Sequence, residues 1–126
     1  MHPSATVPVF VFGSNLAGRH GKGAARWALR HRGAIYGRGV GPQGRAYAIP
    51  TKDGALRVLP LPAIATHVRT FLDHAARHAG IVFELTPIGC GLAGYRPDQI
   101  APLFADAPPN VRLPASFLEV LAARGS

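Results

Sequence analysis

Three short stretches carry residues whose types and spacing suit phosphate recognition and amine chemistry: NLAGRHGKGAA (15–25), IPTKDG (49–54) and PIGCGLAGY (87–95). In the first, Gly21 and Gly23 flank Lys22 just ahead of a predicted helix. Glycines there let backbone N–H groups approach a ligand and aim the positive helix end at it, and phosphate is the natural guest. The spacing is not G-x-G-x-x-G, and no Ser or Thr follows Gly-Lys as a P-loop requires, so neither of those nucleotide motifs is present. An ordinary strand-to-helix connection is the plainer reading of this turn taken alone.

In the second stretch Lys52 follows a predicted strand end. A lysine there counters a phosphate, or acts as an amine if the seven basic residues that precede it lower its pKa; a solvated surface lysine is the alternative. The third stretch places Gly89, Gly91 and Gly94 in a strand exit, more glycine than a structural turn usually needs, and Gly89 and Gly91 allow close backbone approach to a ligand. Cys90 lies between them with no base assigned beside it and reads as packing. His67, His74 and His78 share a predicted helix with Arg69 and Arg77, which reads as a solvated face; His20 differs because it lies inside the glycine loop. No histidine or cysteine grouping has metal-ligand spacing, and no metal or other cofactor is expected.

The elements that must position these stretches follow from pattern. Val7–Phe12 is short, β-branched and aromatic, as in a strand buried on both faces, and breaks at Gly13. Ala24–Arg32 reads as a helix with Arg30, His31 and Arg32 at its negative end and Gly33 as its stop. Residues 33–45 hold five glycines and a proline, signalling loop or broken strand; Ala46–Pro50 is a second strand. From Ile64 the apolar positions Val68, Phe71, Leu72 and Ala75 keep helical spacing up to Gly80. Ile81–Gly89 is a third strand, Pro97–Phe104 a short helix and 110–114 a last short strand. Ser116 and Glu119 have the spacing of a capping box on a terminal helix. Strands alternating with helices predict one α/β domain over residues 1–126 with a largely parallel sheet. Ligands sit beyond the carboxyl ends of the strands in such sheets, and all three stretches follow strands.

Composition narrows the partners. The chain has 126 residues, 14 Lys and Arg against 6 Asp and Glu, and one cysteine, so it has no internal disulfide. No acidic residue occurs before Asp53, whereas eight basic ones do: Arg19, Lys22, Arg26, Arg30, Arg32, Arg38, Arg45 and Lys52. One half of the fold should carry a positive field, which suits a phosphorylated or nucleic-acid partner or reflects a generally basic surface. The amino terminus lacks a basic segment followed by a long apolar one, and no apolar run approaches the roughly 18 residues of a membrane span. A cytoplasmic protein, monomeric and without membrane attachment, is the expectation.

Taken in order, the three stretches resemble a macrodomain, of the branch that contains the DNA ADP-ribosyl glycohydrolase antitoxins and the terminal ADP-ribose glycohydrolases. The matching motifs are Asn15 before a Gly-Lys-Gly loop, Pro50-Thr51-Lys52 after a middle strand, and Gly89-Cys90-Gly91 after a later one; the likeness covers about residues 7–105. It implies a three-layer α/β/α sandwich with a mixed, largely parallel central sheet, and an ADP-ribose cleft. In that cleft Gly13, Ser14 and Asn15 would line the first strand's end, with Asn15 on the distal ribose. Gly21, Lys22, Gly23 and Ala24 would hold the diphosphate beside His20, and Thr51 would neighbour Lys52. Gly89, Cys90, Gly91, Leu92, Ala93 and Gly94 would close from the other side. Tyr95 or Phe12 would offer adenine an aromatic face unless either is core or lid. Lys52 corresponds to the lysine that attacks or positions the anomeric carbon.

Where the glutamate-specific enzyme has an aspartate after Gly-Cys-Gly-Leu, this chain has Ala93, which argues against that specificity; Asp53 and Asp98 are candidate replacements. The resemblance therefore implies a glycohydrolase that frees ADP-ribose from a modified macromolecule such as DNA, or a non-catalytic reader of ADP-ribose or a related nucleotide.

Overall fold

The computed structural model describes residues 7–125 of the chain. Five strands form one mixed sheet in the order β2-β3-β1-β4-β5: β1 (Val9–Asn15), β2 (Gly41–Gln43), β3 (Ala46–Lys52), β4 (Phe83–Leu85) and β5 (Val111–Arg112). The neighbours β3–β1, β1–β4 and β4–β5 are parallel, and only β2 runs antiparallel, on β3. Helices α1 (Gly23–His31), α2 (Leu61–Ala76), α3 (Pro97–Ile100) and α4 (Ala115–Arg124) fill the connections, with a 3₁₀ turn, Ala101–Phe104, continuing α3.

Alternation along the central strands sends side chains to two faces. Phe12, Ala46 and Ala48 pack with Ala25 and Ala28 of α1, while Val11, Tyr47 and Ile49 join Ile64, Val68 and Phe71 of α2 in the larger cluster. The first cluster is nearly all alanine, so α1 lies close against the sheet. Four phenylalanines, Phe71, Phe83, Phe104 and Phe117, fill the second, each almost wholly buried and each contributing roughly 2–3 kcal/mol by leaving water.

The chain leaves β1 through α1 to reach β3 on one side, then leaves β3 through α2 to reach β4 on the other. The two connections cover opposite faces, so the loops after β1 and β4 diverge. Such a reversal opens a crevice at the carboxyl ends of parallel strands.

Several predicted boundaries move. β1 runs on through Gly13 to Asn15, because its end pairs with an equally extended β3 across an irregularity between Ser14 and Asn15. β3 likewise includes Thr51 and Lys52. β4 stops at Leu85, well short of Gly89: Thr86 N–H and Oγ1 both donate to the Val11 carbonyl, and Ile88 N–H folds back onto the Thr86 carbonyl at 2.7 Å. Ser116 caps nothing. The extended Pro114 (φ −67°, ψ 155°) stands at the helix entry, and Ser116 lies inside the first turn. α2 starts earlier than Ile64, with Pro62 in its first turn, where a missing N–H is harmless.

Candidate functional site

The crevice at the reversal point is a cavity of about 610 Å³. Gly13, Ser14 and Asn15 line it from the end of β1, Thr51 and Lys52 from the end of β3, and Gly89 to Ala93 from the segment after β4. Gly21, Lys22, Gly23 and Ala24 line it from the loop and first turn of α1. Three stretches widely separated in sequence thus line one cavity.

The α1 entry is electrically bare. Lys22 occupies the cap position without a side-chain hydrogen bond to the helix, and no acidic residue lies in the first turn. The first N–H groups of a helix lack intrahelical partners and carry about half a positive charge between them. Arg19, Lys22 and Lys52 add three full positive charges to the lining, and no Asp or Glu belongs to it. Lys52 has no ion pair among the described residues. An anion entering here meets cations and amides and no carboxylate.

The loop before α1 is held by contacts distant in sequence. The Asn15 amide is closed onto the Arg19 backbone, its Oδ1 accepting from Arg19 N–H and its Nδ2 donating to the Arg19 carbonyl, both at 3.0 Å. Asn15 thereby shapes the turn while still lining the cavity. Ser14 Oγ donates to the Gly39 carbonyl. Residues 33–45 pack so tightly on the end of β1 that a Cβ on Gly39 would sit 2.1 Å from the Asn15 carbonyl oxygen.

His20, Gly94 and Tyr95 do not line the cavity. His20 is buried, and its Nε2 faces two acceptors, the Arg38 carbonyl (3.0 Å) and Gln43 Oε1 (3.1 Å), so that nitrogen carries the N–H. It pins the glycine loop to the 33–45 segment. Tyr95 packs against the core and its hydroxyl donates to the Leu59 carbonyl at 2.6 Å, anchoring the loop after β4 to the chain ahead of α2. Phe12 is fully buried under α1, so its ring offers adenine no face.

Nor does either candidate acid face the site. Asp53 accepts from Ala55 N–H (2.8 Å) and Arg57 N–H (2.9 Å) and pairs with the Arg57 side chain (3.2 Å). The Arg57 backbone hydrogen bond leads in holding its carboxyl below the usual carboxylate range. Asp98 pairs with Arg96 on the surface at 3.0 Å. Cys90 lines the cavity half-buried, and burial, seconded by Asp98, pushes its thiol up, away from the reactive thiolate.

Arg19, which stands in the first glycine-rich stretch, adds a cation beside Asn15, whereas Leu56, which no motif marked, reaches the cavity from the tight turn after Lys52. Leu56 is the one non-glycine residue with positive φ (65°) among the described residues, and 45% of it is exposed.

Among the described residues no group of three or more His, Cys, Asp or Glu side chains is placed to hold a metal, and no helix is long and apolar enough to cross a membrane. No family model matches the chain, and no curated protein or solved structure matches it either.

Proposed function

We propose that this chain is a macrodomain-like three-layer α/β/α protein that binds ADP-ribose in the crevice beyond β1. In this reading it acts as an ADP-ribosyl glycohydrolase, releasing ADP-ribose from a modified macromolecule. The observation that supports the reading most is the cavity lining: an uncapped helix entry, glycine backbone on both walls and three cations, with no carboxylate. A diphosphate is the ligand group that uses all of these at once. The diphosphate lies against Gly21–Ala24, and the ribose beyond it lies between Lys52 and the Gly89–Ala93 wall.

Lys52 is the main chemical group. Once it has given up a proton, its amine adds to the anomeric carbon of the ring-opened ribose, the bond from that carbon to the carrier breaks, and the leaving group takes up that proton. Water then hydrolyses the resulting imine, restoring the lysine and freeing ADP-ribose. Lys52 is the last residue of β3 and lines the cavity. A specific observation favours a second reading, a non-catalytic reader: no acid stands at the cavity to assist the leaving group, position 93 being alanine.

Calorimetric titration with ADP-ribose, against AMP and ribose 5-phosphate, tests the shared core of both readings. Low-micromolar affinity that needs the diphosphate is expected, and no binding at millimolar ligand sinks both. Lys52→Ala then separates them: a hydrolase loses turnover on ADP-ribosylated substrate while still binding, whereas a reader has no turnover to lose.

A further inference from the structure

Beside the cavity, outside its lining, the fold leaves a set of large apolar side chains uncovered. Two backbone strips lie against each other there: the turn after β1, residues 16–18, and residues 35–40. Gly37 N–H donates to the Gly18 carbonyl at 2.8 Å, and a Cβ on Gly18 would stand 2.2 Å from the Gly37 carbonyl carbon. A Cβ on Gly39 would stand 2.9 Å from the Leu16 carbonyl. Leu16, Ile35, Tyr36 and Val40 ride on these strips, each between 42% and 61% exposed. Apolar residues exposed singly are ordinary, but four on two strips in backbone contact form a patch, and such patches mark interaction sites.

The patch is rigid. Tyr36, the most exposed of the four, lies edge-on to the buried His20 ring, 6.4 Å between centroids. The His20 and Gln43 side chains both hold the Arg38 carbonyl at 3.0 Å, and Ile35 N–H donates to Gln43 Oε1 at 2.9 Å. A surface fixed in this way loses little freedom when it is covered.

Charge selects what covers it. Arg38 stands between Tyr36 and Val40, and Arg19 follows Gly18; both are exposed, and neither has an ion pair among the described residues. No acidic residue precedes Asp53, and Asp53 is taken by Arg57. A second copy docked patch to patch would gather four guanidinium groups with no carboxylate from either strip to answer them. A nucleic acid answers the arginines but offers nothing to Leu16, Ile35 and Val40. A bilayer takes apolar side chains that reach roughly 5–10 Å below its surface, and strips clamped so closely to the body do not reach. An acidic polypeptide with aliphatic or aromatic anchors meets both requirements.

We propose that Leu16, Ile35, Tyr36 and Val40, with Arg19 and Arg38, form a docking site for an acidic, apolar segment of a partner protein. Tyr36 and Arg38 are its centre, and Tyr and Arg are among the residue types that most often carry interface energy. Arg19 and its neighbour Asn15 also line the cavity, so the segment docks beside the cavity mouth. The proposal does not depend on what the cavity holds.

Short random peptides displayed on phage are selected on the full protein and, in parallel, on a Tyr36→Ser/Val40→Ser variant. The residues changed are exposed, so the variant should unfold in urea as the parent does; Arg38→Glu alone carries the test if it does not. Selection on the parent should enrich peptides that combine Asp or Glu with Leu, Phe or Trp. A synthetic peptide of the enriched sequence should bind the parent with an affinity that falls as salt rises, and either variant should weaken it at least about tenfold. Exchanging its acids for Asn and Gln should weaken it by a similar factor.

No enrichment over the double variant, enriched peptides without acids, or equal binding to parent and Arg38→Glu overturns the site. Sedimentation of the parent alone and flotation with phosphatidylserine vesicles complete the test. Self-association or vesicle binding that the double variant abolishes gives the patch a different occupant and overturns the acidic segment as well. ADP-ribose calorimetry on the parent reads the cavity separately, so failure of the docking site and failure of the proposed function are told apart.

Discussion

Placing an aspartate at position 24 separates what α1 needs for folding from what its entry does for a ligand. Ala24 is exposed, lines the cavity and is the second residue of α1, whose first turn holds no acid. An acid there interacts favourably with the helix dipole by about 0.3–1 kcal/mol, offset by a propensity loss of roughly 0.5 kcal/mol relative to alanine. The stability of Ala24→Asp should therefore stay within about 0.5 kcal/mol of the parent. A diphosphate on the same amides meets the new carboxylate at about 6 Å. With an effective dielectric constant near 20, Coulomb's law sets the repulsion at roughly 2–3 kcal/mol per phosphate charge, reduced by screening at the open rim. ADP-ribose affinity should fall about 30- to 100-fold, and Ala24→Asn, of the same size but uncharged, should lose less than about threefold. Calorimetry reads the affinity and urea denaturation the stability. If Ala24→Asp is stable yet binds within threefold of the parent, the helix entry does not hold the phosphates and the assignment of this wall is wrong.

Leu56→Gly should stabilise the fold by about 0.5–1 kcal/mol, since relief of the left-handed strain exceeds glycine's added chain entropy. The same change should weaken ADP-ribose about fivefold by removing apolar contact from the cavity, and a variant less stable than the parent would refute the strain argument. Gly39→Ala should cost about 2–3 kcal/mol in urea denaturation, because its Cβ would stand 2.1 Å from the Asn15 carbonyl oxygen and neither backbone can yield without losing the Ser14 bond. The turn after Lys52 should hold its shape from neutral pH down through the ordinary carboxylate range. Asp53 is depressed in the folded state, so its contribution is complete above the unfolded value and is lost only as pH falls through the lower folded one. Amide shifts of Ala55 and Arg57 followed by NMR give the midpoint, and a midpoint at or above the ordinary value contradicts the hydrogen bonds that Asp53 accepts.

Local chemistry in the chain was enough to mark the walls of the cavity. A β-branched run ending in Gly-Ser-Asn, a Pro-Thr-Lys at a strand end and a Gly-Cys-Gly exit are short-range patterns, and their backbone consequences extend only a few residues. The two-sided burial of β1 and the amphipathic spacing of α2 were legible for the same reason, since periodicity alone encodes them. Whether a given side chain in those stretches faces the ligand or the protein is decided by partners far along the chain. His20 turns inward because Gln43, 23 residues on, offers it an acceptor, and Ser14 is taken up by Gly39, 25 residues on. Tyr95 is claimed by a Leu59 carbonyl 36 residues back. Leu56 enters the cavity only because the turn that carries it lands beside Lys52. Residue types and spacing along the chain determined a basic, glycine-walled cavity at the strand ends. Tertiary packing decided which residues face it, because a buried polar group must find a partner and the nearest one in space is seldom near in sequence.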